Sequence, residues 1–167
     1  MKLLITSDTH VPKRAKRLPK ILLDHACRAD HILHAGDLVD FQVWQQLSEC
    51  APLSAVSGNN EIGVLKDRLP ESLVLRIEGV RIGLIHGHRG KGKSTLERAS
   101  FAFPPGLADV VVFGHSHQPY AEWRGERLML NPGSATDRRK QPHFTFLWLF
   151  IDKGKIDFRW VNYESID

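Results

Sequence analysis

The chain is poor in cysteine: two in 167 residues, Cys27 and Cys50. Neither belongs to a CxxC pair, which argues against a thiolate zinc site and against a disulfide-stapled scaffold. Both fall in predicted helices and are expected as reduced core thiols, in keeping with a cytoplasmic setting. No apolar run approaches the roughly 18 residues that a membrane helix needs. The first residues, Met1-Lys2-Leu3-Leu4-Ile5-Thr6-Ser7-Asp8, hold too short an apolar run to read as a signal peptide. There is no internal repeat, linker or low-complexity tract, so one domain over 1–167 is expected. Charge of one sign is not in large excess: 23 Lys and Arg face 19 Asp and Glu, a net +4. Aromatic residues, 8% of the chain, do not interleave with the basic ones, which disfavours a polynucleotide partner.

What is present is a device used five times. A short apolar run ends and an N or O donor follows at once. Leu3-Leu4-Ile5-Thr6-Ser7 delivers Asp8 and His10. Ile32-Leu33-His34-Ala35-Gly36 delivers Asp37. Leu53 to Gly58 delivers Asn59. Ile82-Gly83-Leu84-Ile85 delivers His86. Val110-Val111-Val112-Phe113-Gly114 delivers His115 and His117. Buried strands that end in a crevice are where α/β proteins tend to hold ligands, and a Gly beside the donor lets backbone approach closely.

Along the chain the first half alternates strand and helix, and the second half is mostly strands. Strands are expected at 2–7, 31–35, 53–57, 73–77, 80–85, 109–113, 120–123, 127–131, 144–151 and 155–162. Helices are expected over Leu18 to Ala29 (with Pro19 in the first turn), over Phe41 to Glu49 with Asp40 as N-cap, and near Thr95 to Phe101. Hairpins should turn at Glu78-Gly79 and Lys153-Gly154. This order points to two packed sheets with helices outside rather than one doubly wound sheet.

The donor set is Asp8, His10, Asp37, Asn59, His86, His115 and His117: four imidazoles, two carboxylates and an amide oxygen. Mixed N/O ligands suit manganese, iron, cobalt, nickel or zinc better than calcium or magnesium. Seven donors exceed one ion's needs and suit two, with Asp37 read as the shared bridge. Two such ions about 3.5–4 Å apart can hold both the attacking and the leaving oxygen of an in-line displacement and acidify water. Three basic clusters, Lys13 to Lys20, Arg89 to Lys93 and Arg138 to Lys140, lie where they can rim the same crevice and attract an anion.

The blocks Asp8-Thr9-His10, Gly36-Asp37-Leu38-Val39-Asp40, Gly58-Asn59-Asn60-Glu61, His86-Gly87-His88 and Gly114-His115-Ser116-His117 resemble those of the calcineurin-like metallophosphoesterases. Leu130-Asn131-Pro132-Gly133-Ser134 further resembles the small YfcE-type phosphodiesterase branch. The resemblance implies an α/β four-layer αββα sandwich, two mixed sheets flanked by helices. It implies Asp8, His10, Asp37 and His117 around a first metal and Asp37, Asn59, His86 and His115 around a second. It also implies two divalent ions, manganese foremost, and a bridging hydroxide attacking the phosphoester of a small phosphodiester or nucleotide-like anion. Many relatives carry a general-acid His where this chain has Asn60, an amide that cannot donate a proton in that way. Catalysis is therefore expected to rest on Asp37, Asn59, Asn60 and His86, with Asn60, His88 and Lys93 contacting substrate and a preference for good leaving groups. A homo-oligomer is left open.

His25 is expected on a helix surface, His31 and His34 beside a strand, His143 at a hairpin end. The run Gly87-His88-Arg89-Gly90-Lys91-Gly92-Lys93-Ser94 matches the phosphate-cradling P-loop. None of the strands expected after it, 109–113, 120–123, 127–131, 144–151 and 155–162, ends in the Asp that would complete a nucleotide site, and it leaves the seven donors unexplained. It is expected instead as a basic lid. The second hypothesis, ahead of a P-loop nucleotide hydrolase, is a non-catalytic scaffold resembling the retromer subunit of this fold.

Overall fold

The computed structural model describes residues 1–166. The elements, in order, are β1 (Lys2–Thr6), α1 (Lys20–Ala26), β2 (His31–His34), α2 (Phe41–Cys50), β3 (Leu53–Ala55), α3 (Val64–Arg68), β4 (Ser72–Ile77), β5 (Val80–Ile85), α4 (Thr95–Ala102), β6 (Val110–Val112), β7 (Tyr120–Arg124), β8 (Arg127–Asn131), β9 (Phe144–Asp152) and β10 (Lys155–Tyr163). Two five-stranded sheets result, ordered β10-β9-β1-β2-β3 and β4-β5-β6-β8-β7. Both are mixed: β1, β2 and β3 run parallel while β9 and β10 join antiparallel.

The sequence explains the layering. In β1 the period-2 alternation sends Leu3 and Ile5 to one face and Leu4 to the other. Leu3, Ile5 and Leu33 pack against Ile82, Leu84, Val110, Val112, Leu128 and Leu130, which is the sheet-on-sheet interface. Leu4, Ile32 and Phe146 pack outward on Leu22, Val43 and Leu47 of α1 and α2. Val111, Phe113 and Met129 pack outward on Ala99 and Phe103 beside α4. Strands covered on both faces need continuous apolar runs, and β1, β2 and β6 have them. The edge strands β4 and β10 alternate instead. Each fully buried Leu contributes about 2 kcal/mol, so three such interfaces make the layers mutually dependent. This is the expected αββα sandwich.

The two hairpins turn where expected. Ile77 pairs Val80 and Asp152 pairs Lys155, and Glu78, Gly79, Lys153 and Gly154 all have positive φ. Two left-handed central residues match the twist of the flanking strands. Asp40 caps α2, its side chain accepting from the Gln42 N–H.

Four expectations are corrected. Helix α1 is shorter than 18–29, because Pro19 lies at the cap rather than inside the first turn. Helix α3 was not anticipated. His34 lies inside β2 and is fully buried, while His25 is half-buried and accepts from the Trp148 indole N–H. Lastly, Cys27 and Cys50 are joined in a disulfide rather than reduced core thiols, and Cys27 is exposed. The parallel strands β1 and β2 make their crossover helices run the same way. The C-terminal ends of α1 and α2, which carry the two cysteines, therefore meet. With that bond the argument for a reducing compartment falls away. Among the described residues no helix is long and apolar enough to cross a membrane.

Candidate metal centre

The donors lie at the C-terminal ends of β1, β2, β3, β5 and β6, so both sheets contribute to one seam. Five of the seven, Asp8, His10, Asp37, His115 and His117, have positive φ between 45° and 65°, and Val39 joins them at 80°. Left-handed backbone is uncommon for such residues and marks places where surroundings impose a conformation. Here it turns each donor sharply back off its strand.

Two glycines make room. A Cβ on Gly58 would lie 2.2 Å from the Asp37 Oδ1, and one on Gly114 would lie 2.0 Å from the Ser7 Oγ and 2.7 Å from the Asp8 Oδ2. Both carboxylates are seated directly on backbone.

The Asp8 Oδ1 is buried and accepts no hydrogen bond. Around it lie the Nε2 atoms of His117 at 3.4 Å, His10 at 3.6 Å and His86 at 3.9 Å. The Asp37 Oδ2 is 3.3 Å from both His10 Nε2 and His86 Nε2. The Nε2 atoms of His10 and His117 are 3.1 Å apart, and the His86 Nε2 is 3.1 Å from the Asn59 Oδ1. Ligands about 2.1 Å from a shared cation stand about 3–4 Å from one another. A buried orphan oxygen ringed by imidazole nitrogens at that spacing fits a divalent cation. Among the described residues two groups satisfy the distances, Asp8 with His10 and His117, and Asp8 with Asp37 and His86. Asp8 therefore belongs to both, while Asp37 stands midway between His10 and His86.

The second nitrogen of two of the rings is fixed from behind. The His86 Nδ1 sits 2.7 Å from the Ala35 carbonyl and the His117 Nδ1 2.5 Å from that of Asp137, which points both Nε2 atoms inward. Burial alone raises a carboxyl, but the charge of His86 and the close imidazoles of His10 and His117 outweigh it and hold Asp8 well below its usual range. Asp37 is lowered to about 2: burial opposes this, and His86 and Asn60 drive it. Burial likewise disfavours the His86 cation, yet Asp8 and Asp37 raise that ring to about 9. Positive charge is wanted at the middle of the cluster.

The remaining sequence candidates take different places. Asn59 is exposed at the rim with its Oδ1 on His86. The His115 ring stands 5.2 Å from that of His86, and its backbone N–H donates to the Asp8 Oδ2. Asn60 is engaged with Asp37, which accepts from its backbone N–H at 2.9 Å and its side-chain amide at 2.8 Å. The His88 ring lies 5.3 Å from that of His86, with its Nδ1 buried and unpartnered. Lys93 faces the other side of its loop, in a cavity shared with Ser116 and Tyr120.

That loop has the strand before it and helix after it that a P-loop needs, but not the free donors. The Glu97 carboxylate accepts from the backbone N–H groups of Lys93 and Ser94, and Ser94 caps α4 through the Glu97 N–H. The positions a phosphate would take are filled.

Sequence reasoning missed Glu61. It is buried, and its two oxygens accept from the Leu38 and Gly58 N–H groups at 2.9 and 2.7 Å. Burial, with Asp37 nearby, pushes its carboxyl up. It ties the Asp37 loop to the Asn59 loop. Ser134 and Thr136 do the same for the Asp8 loop, both donating to the Asp8 carbonyl.

Comparison with known proteins agrees with this geometry. The sequence profile of the calcineurin-like phosphoesterase superfamily domain matches residues 1–154. A probable metallophosphoesterase of Methanothermobacter thermautotrophicus is 36% identical over 156 residues, covering 92% of this chain and 87% of the relative. The structure of an archaeal phosphodiesterase is 28% identical with a TM-score of 0.73, covering 98% of this chain and 100% of that one. Vps29 of Entamoeba histolytica, solved with zinc, is 25% identical with a TM-score of 0.79, covering 97% and 99%. The strand-end donors, the layering and these matches agree: the chain belongs to the calcineurin-like phosphoesterase superfamily.

Proposed function

We propose that the protein is a phosphodiesterase working with two divalent cations, manganese foremost, on a small phosphodiester or nucleotide-like anion. The observation that carries this reading is the Asp8 Oδ1: a buried carboxylate oxygen with no hydrogen bond, ringed by three imidazole nitrogens. Asp8, His10, Asp37, His86 and His117 would hold the ions, with Asn59 and His115 completing the set. Cations there would supply Lewis acidity toward a phosphoryl oxygen and lower the pKa of water.

The chain's own residues set the limits of the chemistry. Asn60 spends its amide on Asp37, so it orients that carboxylate and does not protonate a leaving group. Burial and the charge of His86 push the His88 pKa down, and its Nδ1 is unpartnered beside the cluster. It is placed to hydrogen-bond an ester oxygen. With the amide of Asn60 where a general acid would stand, esters with acidic leaving groups should react best. The names of the archaeal phosphodiesterase and of the metallophosphoesterase relative support hydrolysis of this bond class.

The test is to strip the protein with chelator, reload manganese, nickel, zinc or magnesium, and assay an aryl phosphodiester beside an aryl phosphomonoester. Restored turnover favouring the diester is expected. A second reading, a non-catalytic scaffold, draws support from the TM-score of 0.79 with Vps29. No hydrolysis of either ester with any metal would favour it.

A further inference from the structure

A cavity of about 500 Å³ opens beside the cluster, floored by Ile85, Phe101 and Ala102 and walled by His88, Lys91 and Arg98. A second hollow of about 450 Å³ runs from Asn59 past Glu61 and shares Glu71, His88 and Arg89 with the first. The two therefore form one groove, from a rim residue of the metal centre to an aromatic floor. The combined size is that of small-molecule sites, about 300–1,000 Å³.

Phe101 takes no part in the core. Helix α4 buries Ala99, while Phe101 lies on the opposite side, 53% exposed. It shares a helix face with Arg98, three residues earlier, and that face looks onto the Gly87–Lys91 loop. Arg98 spends its guanidinium on the carbonyls of Gly87, Gly92 and Lys93 and so holds the loop over the groove. The Lys91 ammonium lies 4.9 Å from the Phe101 ring centroid. Arg89 is paired with Glu71 at the mouth, which neutralises that carboxylate. An exposed flat ring, a cation above it and a phosphate-directed centre at the far end suit a phosphate ester whose organic arm is a planar ring. Neither a bare sugar nor an acyl chain would use both ring and cation.

We infer that this groove is a nucleotide subsite: the base takes the face of Phe101 that the exposed Lys91 ammonium now covers, displacing that side chain, while the phosphate reaches past His88 to the metal centre. The inference rests on the phosphoesterase reading and narrows its substrate to nucleoside phosphate esters.

The test compares adenosine 5′-monophosphate with ribose 5-phosphate as competitive inhibitors of methyl 4-nitrophenyl phosphate hydrolysis by the manganese-loaded enzyme. Base stacking on an aromatic is worth about 1–3 kcal/mol, so the nucleotide should inhibit about tenfold or more tightly. Phe101→Ala should erase that advantage and Phe101→Trp should keep it. Trp123→Ala, an exposed aromatic on β7 far from the groove, should change neither. Equal inhibition by the two phosphates, or a ratio unmoved by Phe101→Ala, overturns the subsite and leaves the phosphodiesterase standing. Should no ester be hydrolysed, that reading falls instead. Calorimetric titration of the same two phosphates into wild type and Phe101→Ala then decides the subsite by the same ratio.

Discussion

Glu61 shows how much of the centre is held by a residue that touches no ion. Its two oxygens satisfy the backbone of the Asp37 loop and of the Asn59 loop at once. Glu61→Ala would leave two N–H groups unpartnered, at about 1–3 kcal/mol each. Residues supporting metal ligands typically contribute about 10–100-fold in metal affinity. We expect a fall of that size for manganese in Glu61→Ala, measured by calorimetry, with fluorescence confirming an intact fold. His34 gives a prediction about acid stability. Burial pushes its pKa to about 3, against the fields of Asp8 and Asp37 that raise it and of His86 and His10 that lower it further. Unfolded, the ring titrates near its ordinary 6.5. Between those values only the unfolded chain binds the proton, so stability is complete above about pH 6.5 and falls as pH drops toward 3, by about 1.4 kcal/mol per unit. His34→Gln, which can still bond Thr9, should flatten that slope in denaturation series from pH 7 to pH 4. A slope equal to wild type would show that other groups set it. At this scale the sequence was most legible where a donor follows an apolar run, because strand ends and their chemistry are both local. Glu61 was illegible because its task, joining two loops, depends on a fold that brings Leu38 and Gly58 together. The left-handed backbone at Asp8, Asp37 and His117 was hidden for the same reason.

Among the elements, the long buried strands and the two hairpins were readable from period and turn residues. Helix α3 was not: five residues opening at Gly63 with a φ of 56° carry too little periodicity to register. The bond between Cys27 and Cys50 was also invisible, because their separation of 23 matches no spacing motif. Only the parallel run of α1 and α2 brings them together. A loop of that size closed in the unfolded chain contributes about 3 kcal/mol. Reduction by dithiothreitol, or Cys27→Ser with Cys50→Ser, should therefore lower the free energy of urea unfolding by about that amount. The measurement is paired with intact-mass analysis of protein purified without reductant. Unchanged unfolding after proven reduction would show the bond to be incidental to α1–α2 packing.

For the molecule as a whole, the sandwich places one donor-bearing loop at each of five strand ends and lets a single small centre draw on both sheets. Ligands that bind only the folded form stabilise it by mass action, about 2.7 kcal/mol for each site at a hundredfold excess over the dissociation constant. Manganese should raise the melting temperature of chelator-treated protein, and Asp8→Asn, whose residue belongs to both metal groups, should abolish most of that rise. A rise that persists in Asp8→Asn would place the cations elsewhere.

The seam itself has a mechanical corollary. Asp8 and Asp37 hang from one sheet, His86 and His117 from the other, and the sheets are already stitched at that end by the bonds of His86 to Ala35 and of His115 and Ser134 to Asp8. An ion seated there acts as a rivet. Pulled apart or heated, the loaded sandwich should part first at the far rim, near Glu78 and Asp152, and amide exchange should slow in step on β1 and β6 as the rivet is set.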